Sequence, residues 1–314
     1  MDAPFDIVRA SHIEYVVTDI DEARRYYSAT LGMVETASEG SRVYLRGIED
    51  RTHHSLVLTE GRRPGLSHMA FRLRSELDMK KAERFLEAEG IRHSLAEGEE
   101  KGIGPSLRFQ DPSGFPVELF YRTDAVEWEL QKYHSHHGGR IMRIDHFNVL
   151  VPDVAGTVKW YVEKLHFALS EFTEDDDGSM QAAWLRRKQS SHDIAVMRGH
   201  GPRFHHAGFI VSDRDSILDC ADILSSSGYF RSIERGPGRH GITNAFFLYL
   251  RDSDRHRIEL YTGDYMAADP DLQPVRWSVH DPRRQTFWGA PTPESWTNEA
   301  SDVIPFDFPA HHKD

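Results

Sequence analysis

The order of strand and helix signals in the first half of this 314-residue chain is repeated in the second half. Each of four consecutive units opens on an apolar strand, continues with one helix and closes on further short strands. The predicted helices cover residues 19–31, 76–89, 153–165 and 213–226, and the predicted strands cover residues 11–17, 42–46, 54–59, 66–73, 105–110, 116–121, 144–151, 182–186, 192–197, 205–211, 243–250 and 257–262. This repetition predicts an α+β protein made of four tandem βαβββ modules.

The repeat also predicts how the chain is divided. We expect an N-terminal domain over residues 1–125, a polar linker over 126–140, a C-terminal domain over 141–264 and a tail over 265–314. The chain is long enough for two domains that each bury a core of their own. Because the tail loses the periodic pattern and is rich in Pro and Trp, we expect it to cover a site or an interface.

Three strands of the second half each carry one ionisable residue within an apolar run. These residues are His146, His206 and Glu259. Two neutral imidazoles and one carboxylate form the facial triad that suits divalent iron and leaves positions open for substrate and oxygen. The sequence therefore predicts a metal site made by these three side chains.

The first half contains a matching set, His12, His68 and Glu118. At the position that matches Tyr249, however, the first half has Arg108. An arginine directed at a cation would repel it. We therefore expect catalysis in the second half and interpret the first-half set as a remnant or an occasional metal site.

Composition excludes several classes of function. A formal net charge of −12 argues against a nucleic acid partner, since phosphate binding depends on clustered Lys and Arg. No apolar run approaches the ~18 residues of a membrane span. Residues 1–8 show no secretory signal and Cys220 is the single cysteine, so we expect a cytoplasmic protein without disulfides.

Five segments, in the same order along the chain, resemble a known family of oxygenases. They are residues 145–148, 183–193, 201–206, 233–241 and 257–261. These motifs are similar to those of the type I extradiol ring-cleaving dioxygenases of the vicinal oxygen chelate superfamily. The similarity is strongest to the members that cleave homoprotocatechuate (3,4-dihydroxyphenylacetate).

The resemblance implies a fold, a cofactor and a role for each site residue. In that family two modules close one open barrel, the N-terminal barrel is non-catalytic and the C-terminal barrel holds Fe(II), with Mn(II) as a possible replacement. A homo-oligomer, and specifically a tetramer, is also implied. The resemblance implies that His146, His206 and Glu259 bind the metal and that His192 is the acid–base residue. Tyr249 and His240 would orient the substrate oxygen, and Asn148 and Trp184 would lie next to the side at which O2 binds. The pocket for the substrate's side chain would be formed by Arg235, His240, Arg284 and Trp296.

The predicted function is extradiol cleavage of a catechol by O2 in aromatic catabolism. The expected substrate is 3,4-dihydroxyphenylacetate and the product a 2-hydroxymuconic semialdehyde derivative. The family pattern has two adjacent arginines where this chain has Arg284 followed by Gln285, which leaves another substituted catechol open as the substrate. Two further alternatives are a metal-dependent glyoxalase-like isomerase and a module that binds an aromatic ligand without turnover.

Overall fold

A computed structural model describes residues 3–308 of the chain. The first two residues of the predicted N-terminal domain and the last six of the predicted tail lie outside the described residues. Secondary structure follows the predicted repeat, because each quarter of residues 7–262 has the order strand, helix, then three strands. The α+β class and the four βαβββ modules are therefore confirmed.

The first two modules form one eight-stranded sheet. Their elements are β1 (Ile7–Val17), α1 (Ile20–Arg24, continued by a π-helical segment at Arg25–Thr30), β2 (Val34–Glu39), β3 (Arg42–Arg46), β4 (Leu56–Glu60), β5 (Gly65–Leu73), α2 (Glu76–Ala88), β6 (His93–Ala96), β7 (Ser106–Gln110) and β8 (Pro116–Phe120). The strand order is β2-β3-β4-β1-β5-β8-β7-β6. β1 pairs with β4 in parallel, β5 pairs with β8 in parallel, and an antiparallel β1–β5 pair joins the two modules.

The last two modules repeat this arrangement in a second sheet. Their elements are β9 (Ile141–Val151), α3 (Val154–Leu165), β10 (Ala168–Glu174), β11 (Met180–Arg186), β12 (Ile194–Arg198), β13 (Arg203–Val211), α4 (Arg214–Ser226), β14 (Ile233–Arg239), β15 (Phe246–Arg251) and β16 (Arg257–Thr262). The tail adds β17 (Val275–Ser278), β18 (Trp288–Gly289), the short α5 (Ser295–Asn298) and β19 (Ser301–Asp302). The strand order is β17-β10-β11-β12-β9-β13-β16-β15-β14-β18, with β19 paired to β13, so the tail lies against the second sheet.

The four module helices begin at the residues that the sequence indicates. In each case the side chain of the residue before the helix accepts a hydrogen bond from a backbone N–H three residues later, which satisfies one of the free donors of the first turn. These capping residues are Asp19, Ser75, Asp153 and Asp213. The predicted helix positions are therefore confirmed.

One strand per module was not predicted. The missed strands are the ones directly after each helix, β2, β6, β10 and β14. They lie at or next to the ends of the two sheets, where a strand buries little surface on either face. Such a strand folds without a regular alternation of apolar and polar residues, which is the pattern used to predict strands. In β14 the segment Gly236-Pro237-Gly238 breaks the pattern further.

The larger of two clusters of buried hydrophobic residues contains side chains from both halves. Phe71 of the first sheet packs edge-on against Phe147 of the second, with ring centroids 5.5 Å apart. Tyr15 stacks on His256 at 4.3 Å. Among residues 3–308, no helix combines the length and apolar character that crossing a bilayer would require.

Candidate metal centre and active-site cavity

Three neighbouring strands of the second sheet, β9, β13 and β16, carry the predicted triad. Nε2 of His146 lies 3.3 Å from Nε2 of His206 and 3.1 Å from Oε2 of Glu259, and His206 lies 3.2 Å from that same oxygen. None of the three side chains is more than 4% exposed. The three donor atoms thus converge on one buried point.

A glycine between two of these residues makes the convergence possible. Gly208 of β13 is the register partner of His146 on one side and of Glu259 on the other. A Cβ atom at Gly208 would lie 2.1 Å from Cε1 of His146, which no real side chain tolerates. The imidazole can lie across the sheet at this position only because residue 208 has no side chain.

The neighbouring histidine determines which nitrogen of His206 is free to bind a cation. Nε2 of His205 lies 2.7 Å from the carbonyl oxygen of Trp296, and a carbonyl can only accept, so this nitrogen carries the hydrogen. Burial lowers the pKa of His205 well below its ordinary value, so the ring is neutral and its Nδ1 must accept. The donor is Nδ1 of His206, 2.6 Å away, which leaves the lone pair of His206 on Nε2, inside the triad.

Asp145 acts in the same way on the other imidazole. Its Oδ2 lies 3.3 Å from Nδ1 of His146, so that Nδ1 donates to Asp145 and Nε2 is the nitrogen that would give its lone pair to an ion bound in the triad. Burial opposes a charge on His146, but the hydrogen bonds that its ring donates to Asp145 and Glu259 outweigh the effect of burial and raise the pKa of His146 to about 9. The pair of carboxylates therefore favours a positive charge at this point.

The donor set fits a divalent metal ion. Two imidazole nitrogens and one carboxylate oxygen, 3.1–3.3 Å apart, match the ~3 Å separation expected of three ligands on one face of an octahedron with bonds of ~2.1 Å. Among the described residues, the groups able to hold a metal here are these three. Three ligands leave half of an octahedral coordination sphere for other molecules.

Replacing His205 by Phe should weaken metal binding about 10- to 100-fold, the usual effect of losing a partner that orients a ligand imidazole. His206 would then have no acceptor for Nδ1–H, and its tautomer would no longer be determined. We expect His205→Gln, whose amide can replace both hydrogen bonds, to retain most of the affinity. Competition with a chelator of known affinity measures the difference, and equal affinities for the H205F and wild-type chains would contradict this role.

The triad opens onto a cavity of about 400 Å³. Every site residue predicted from the sequence lines this one cavity: His146, Asn148, Trp184, His192, His206, Arg235, His240, Tyr249, Glu259, Arg284 and Trp296. These residues come from both modules of the second half and from the tail. The tail contributes Arg284 and Trp296, so it forms part of the cavity wall.

His192 lies beside the triad but not on a strand, although the sequence analysis places it at the start of one. β12 begins two residues later, and His192 belongs to the irregular segment before it. Its ring centroid is 4.0 Å from that of His146, and Oγ of Ser191 lies 2.7 Å from its Nδ1. Burial, together with the nearby His146 and Lys188, lowers the pKa of His192 well below its ordinary value, so the ring is neutral and able to accept a proton.

Tyr249 and His240 form a directed hydrogen-bond chain on another wall of the cavity. The carbonyl oxygen of Gln285 accepts from Nδ1–H of His240, whose Nε2 then accepts from the Tyr249 hydroxyl 3.0 Å away. Burial lowers the pKa of His240 to about 4 and, with the nearby Glu259, raises the pKa of Tyr249 well above its ordinary value. Both side chains are therefore neutral, and the tyrosine keeps its proton.

Arg235 is a buried cation with unused donors. Its guanidinium is packed between the rings of Phe247 and Trp296, 4.8 and 4.7 Å from their centroids. Nη2 donates to Gln285 and Thr286, but Nε and Nη1 are buried without a hydrogen-bond partner among the described residues. A buried donor left unpaired costs stability unless a ligand satisfies it, which makes Arg235 a candidate for contact with an anionic or polar group.

The two neighbouring tail arginines have different environments. Nε of Arg284 donates to the carbonyl of Val279, and its side chain lines the cavity. Arg283 instead forms an exposed ion pair with Asp281 at 2.8 Å. The polar side chain of Gln285 also lines the cavity, at the position where the family pattern has its second arginine.

Several residues of the site were not predicted from the sequence. His205 determines the His206 tautomer, and the only signal for it was the His-His pair at the start of the strand. Other residues that line the cavity carried no signal of function in the sequence, among them Thr173, Asp175, Gln181, Thr243, Val279 and Gln285.

Comparisons of the sequence with known proteins match a family model and several dioxygenases. The sequence model of the Glyoxalase/Bleomycin resistance protein/Dioxygenase superfamily matches residues 9–119 and 143–260, once in each half. A manganese-dependent 2,3-dihydroxybiphenyl 1,2-dioxygenase from Geobacillus genomosp. 3 is 32% identical over 91% of this chain and 95% of its own length. A metapyrocatechase from Geobacillus stearothermophilus is 29% identical over 93% of each chain.

A solved structure is similar over nearly the whole chain. Homoprotocatechuate 2,3-dioxygenase from Brevibacterium fuscum, in complex with 3,4-dihydroxyphenylacetate, superposes with a TM-score of 0.93 and is 42% identical, covering 96% of this chain and 95% of that one. These relatives act on different catechols. Their names give the same class of reaction but different substrates.

Proposed function

Because this chain belongs to the Glyoxalase/Bleomycin resistance protein/Dioxygenase superfamily and is an extradiol catechol dioxygenase, we propose that its substrate is 3,4-dihydroxyphenylacetate and its cofactor Fe(II). The product would be a 2-hydroxymuconic semialdehyde derivative. The observation that supports this proposal most directly is the convergence of a three-ligand metal triad, a neutral histidine and two arginines in one cavity. Mn(II) accepts the same ligands, and one relative is named as manganese-dependent.

The proposed metal ligands are His146, His206 and Glu259. A divalent ion held by these three residues would act as a Lewis acid that favours the ionised form of the catechol, and it would leave coordination positions for substrate and O2. The protein's own contribution is to orient and to move protons. His205 and Asp145 keep the ligand lone pairs directed at the ion.

The buried Tyr249 is proposed to hold one substrate oxygen. Because His240 accepts the tyrosine proton, the lone pairs of the phenol oxygen are directed into the cavity, where they can accept from a substrate hydroxyl. Asn148 and Trp184 line the cavity on strands β9 and β11, near His192. We assign them to the side at which O2 enters.

His192 is proposed as the acid–base residue. It is neutral when the cavity is empty of substrate, so it can take one proton from the catechol as the substrate binds. The imidazole of His192, beside His146, would hold that proton and could return it during ring cleavage. A single group that accepts and returns a proton requires no exchange with solvent during ring cleavage.

We propose that Arg284 binds the substrate's carboxylate. Replacing Arg284 by Met should raise KM for 3,4-dihydroxyphenylacetate about 10- to 100-fold, since a charge-assisted hydrogen bond contributes about 1.5–3 kcal/mol. KM for unsubstituted catechol should change less than about threefold. Arg283→Met is the matched control, because Arg283 is exposed and paired with Asp281; an equal loss for both catechols would contradict the assignment.

One experiment separates the proposed activity from the alternatives. Purified protein loaded with Fe(II) is given 3,4-dihydroxyphenylacetate, catechol and 2,3-dihydroxybiphenyl in turn, and O2 uptake is followed with the yellow absorbance of the ring-cleavage product. We expect the highest kcat/KM for 3,4-dihydroxyphenylacetate. A higher value for 2,3-dihydroxybiphenyl would overturn the substrate, and turnover without O2 uptake would favour a glyoxalase-like isomerase.

The assembly remains a prediction. We propose a homo-oligomer, with a tetramer expected from the family resemblance, located in the cytoplasm. Light scattering coupled to gel filtration gives the number of subunits directly. A monomer under conditions of full activity would contradict the expectation.

A further inference from the structure

A second cluster of metal-ligating side chains lies in the first sheet. His12 of β1, His68 of β5 and Glu118 of β8 occupy strands equivalent to those of the triad in the second sheet. Nε2 of His12 lies 3.1 Å from Nε2 of His68 and 3.5 Å from Oε1 of Glu118. All three residues are fully buried.

The structure adds a fourth group that the repeat did not predict. Glu100, in the loop between β6 and β7, directs both carboxylate oxygens into the cluster. Oε1 lies 3.1 Å from Nε2 of His12, and Oε2 lies 3.5 Å from Nε2 of His68. The four side chains offer ligand atoms that all lie within 4.8 Å of one another.

One oxygen in this cluster has no hydrogen-bond partner. Glu118 is fully buried, and its Oε1 accepts no hydrogen bond from any described residue. Its other oxygen accepts from Nε of Arg108 at 2.7 Å. A buried carboxylate oxygen without a donor is costly, and a cation within the cluster would satisfy it.

The spacing of the ligand atoms agrees with tetrahedral coordination. From Nε2 of His12 the distances are 3.1 Å to Nε2 of His68, 3.1 Å to Oε1 of Glu100 and 3.5 Å to Oε1 of Glu118. Bonds of ~2.0–2.1 Å to a central zinc ion place tetrahedral ligands ~3.3–3.4 Å apart. The cluster is already arranged around a point at which such an ion would lie.

Arg108 does not prevent cation binding. The arginine contacts the outer oxygen of Glu118 and is also paired with Glu99 at 2.5 Å. Two carboxylates, Glu100 and Glu118, offset the one guanidinium, so the four ligands and Arg108 together carry one negative charge. The triad of the second sheet carries the same charge, that of its single carboxylate.

The residues around the cluster resemble the environment of a ligated metal. Oε2 of Glu14 lies 3.1 Å from Nδ1 of His68, although the contact is not aligned as a hydrogen bond. A carboxylate often occupies this position next to a metal-bound imidazole. Nε2 of His54 lies 2.6 Å from Oε1 of Glu100 and holds that carboxylate in place. His54 lies 138 residues before His192, the same offset as that between His68 and His206, so the two occupy equivalent positions. His54 supports a ligand, whereas His192 lines a cavity.

We propose that the first sheet holds a second divalent metal ion in a closed, structural site made by His12, His68, Glu100 and Glu118. Four protein ligands leave no room for a catechol and O2, so the site does not catalyse ring cleavage. Tetrahedral coordination by nitrogen and oxygen suits Zn²⁺. The ion would give Oε1 of Glu118 the partner that it lacks and would hold β1, β5, β8 and the Glu100 loop together.

The test is the number of zinc ions bound per chain. Full-length protein is stripped with a chelator, dialysed against Zn²⁺ and analysed for metal by mass spectrometry, alongside the variant H206Q/E259Q, in which the second-sheet triad is disabled. We expect two ions in the wild-type chain and one in H206Q/E259Q. X-ray absorption of that variant should show about four N/O ligands, two of them imidazoles.

The complementary variant is H68Q/E118Q, for which we expect one ion per chain and retained ring cleavage after Fe(II) loading. If this variant does not fold, H206Q/E259Q alone decides, because its first sheet is unchanged. No zinc in H206Q/E259Q overturns the proposal. One zinc ion with a single imidazole ligand would also overturn the proposal. The exposed group of Asp175, Asp176 and His280 would give that result.

Discussion

Replacing Glu259 by Gln should abolish ring cleavage, with kcat/KM lower by about 10³-fold or more. Glu259 is the only anionic ligand of the triad, and it contacts both imidazoles at 3.1 and 3.2 Å. Without its charge, the site would lose the main attraction for a divalent ion. A bound metal provides several kcal/mol of charge stabilisation, and each 1.4 kcal/mol corresponds to about a tenfold change in rate.

Oxygen uptake and bound iron, measured on the same sample, check this prediction. Glu118→Gln is the matched control, because Glu118 occupies the equivalent strand of the first sheet. We expect it to leave the rate of ring cleavage within about twofold. An E259Q chain that retains iron and activity would rule out the triad as the catalytic metal site.

Replacing His192 by Phe should lower kcat about 10²- to 10⁴-fold, the usual contribution of a positioned acid–base group. Iron content and substrate affinity should remain near wild-type values. The ring is not part of the triad, and Phe preserves the packing against His146 at 4.0 Å. The loss would therefore come from the missing proton transfer.

Single-turnover kinetics on the iron-loaded variant separate binding from ring cleavage. His54→Phe is the corresponding change in the first sheet, where the histidine contacts Glu100 and lines no cavity near the triad. We expect the H54F chain to keep its kcat. If H192F turns over within a fewfold of the wild-type rate, another group must move the proton.

The site was more predictable than the fold that surrounds it. His146, His206 and Glu259 each interrupt a strand that is otherwise apolar, and an ionisable group in a buried strand needs a partner. The strands that follow each helix were missed because they are only partly buried. As a result, β2 and β14 show no regular alternation of apolar and polar residues. Glu100 was missed for a related reason, because it lies in a loop without a pattern.

Other features depend on contacts that no local pattern encodes. His205 and His206 are equivalent in the sequence, and only the carbonyl of Trp296, about ninety residues later, determines which tautomer each adopts. Arg283 and Arg284 are likewise adjacent. The structure pairs the first with Asp281 on the surface and turns the second toward the cavity.

The sequence by itself determined the four-module repeat and the residue types, two His and one Glu, that come together in the second sheet. These follow from periodicity and residue type, which act over a few residues. Only the tertiary structure decided which imidazole nitrogen is free, which arginine lines the cavity and that Glu100 completes a second cluster. Such choices depend on hydrogen bonds and charges between segments far apart in the chain, and these exist only after the sheets have packed.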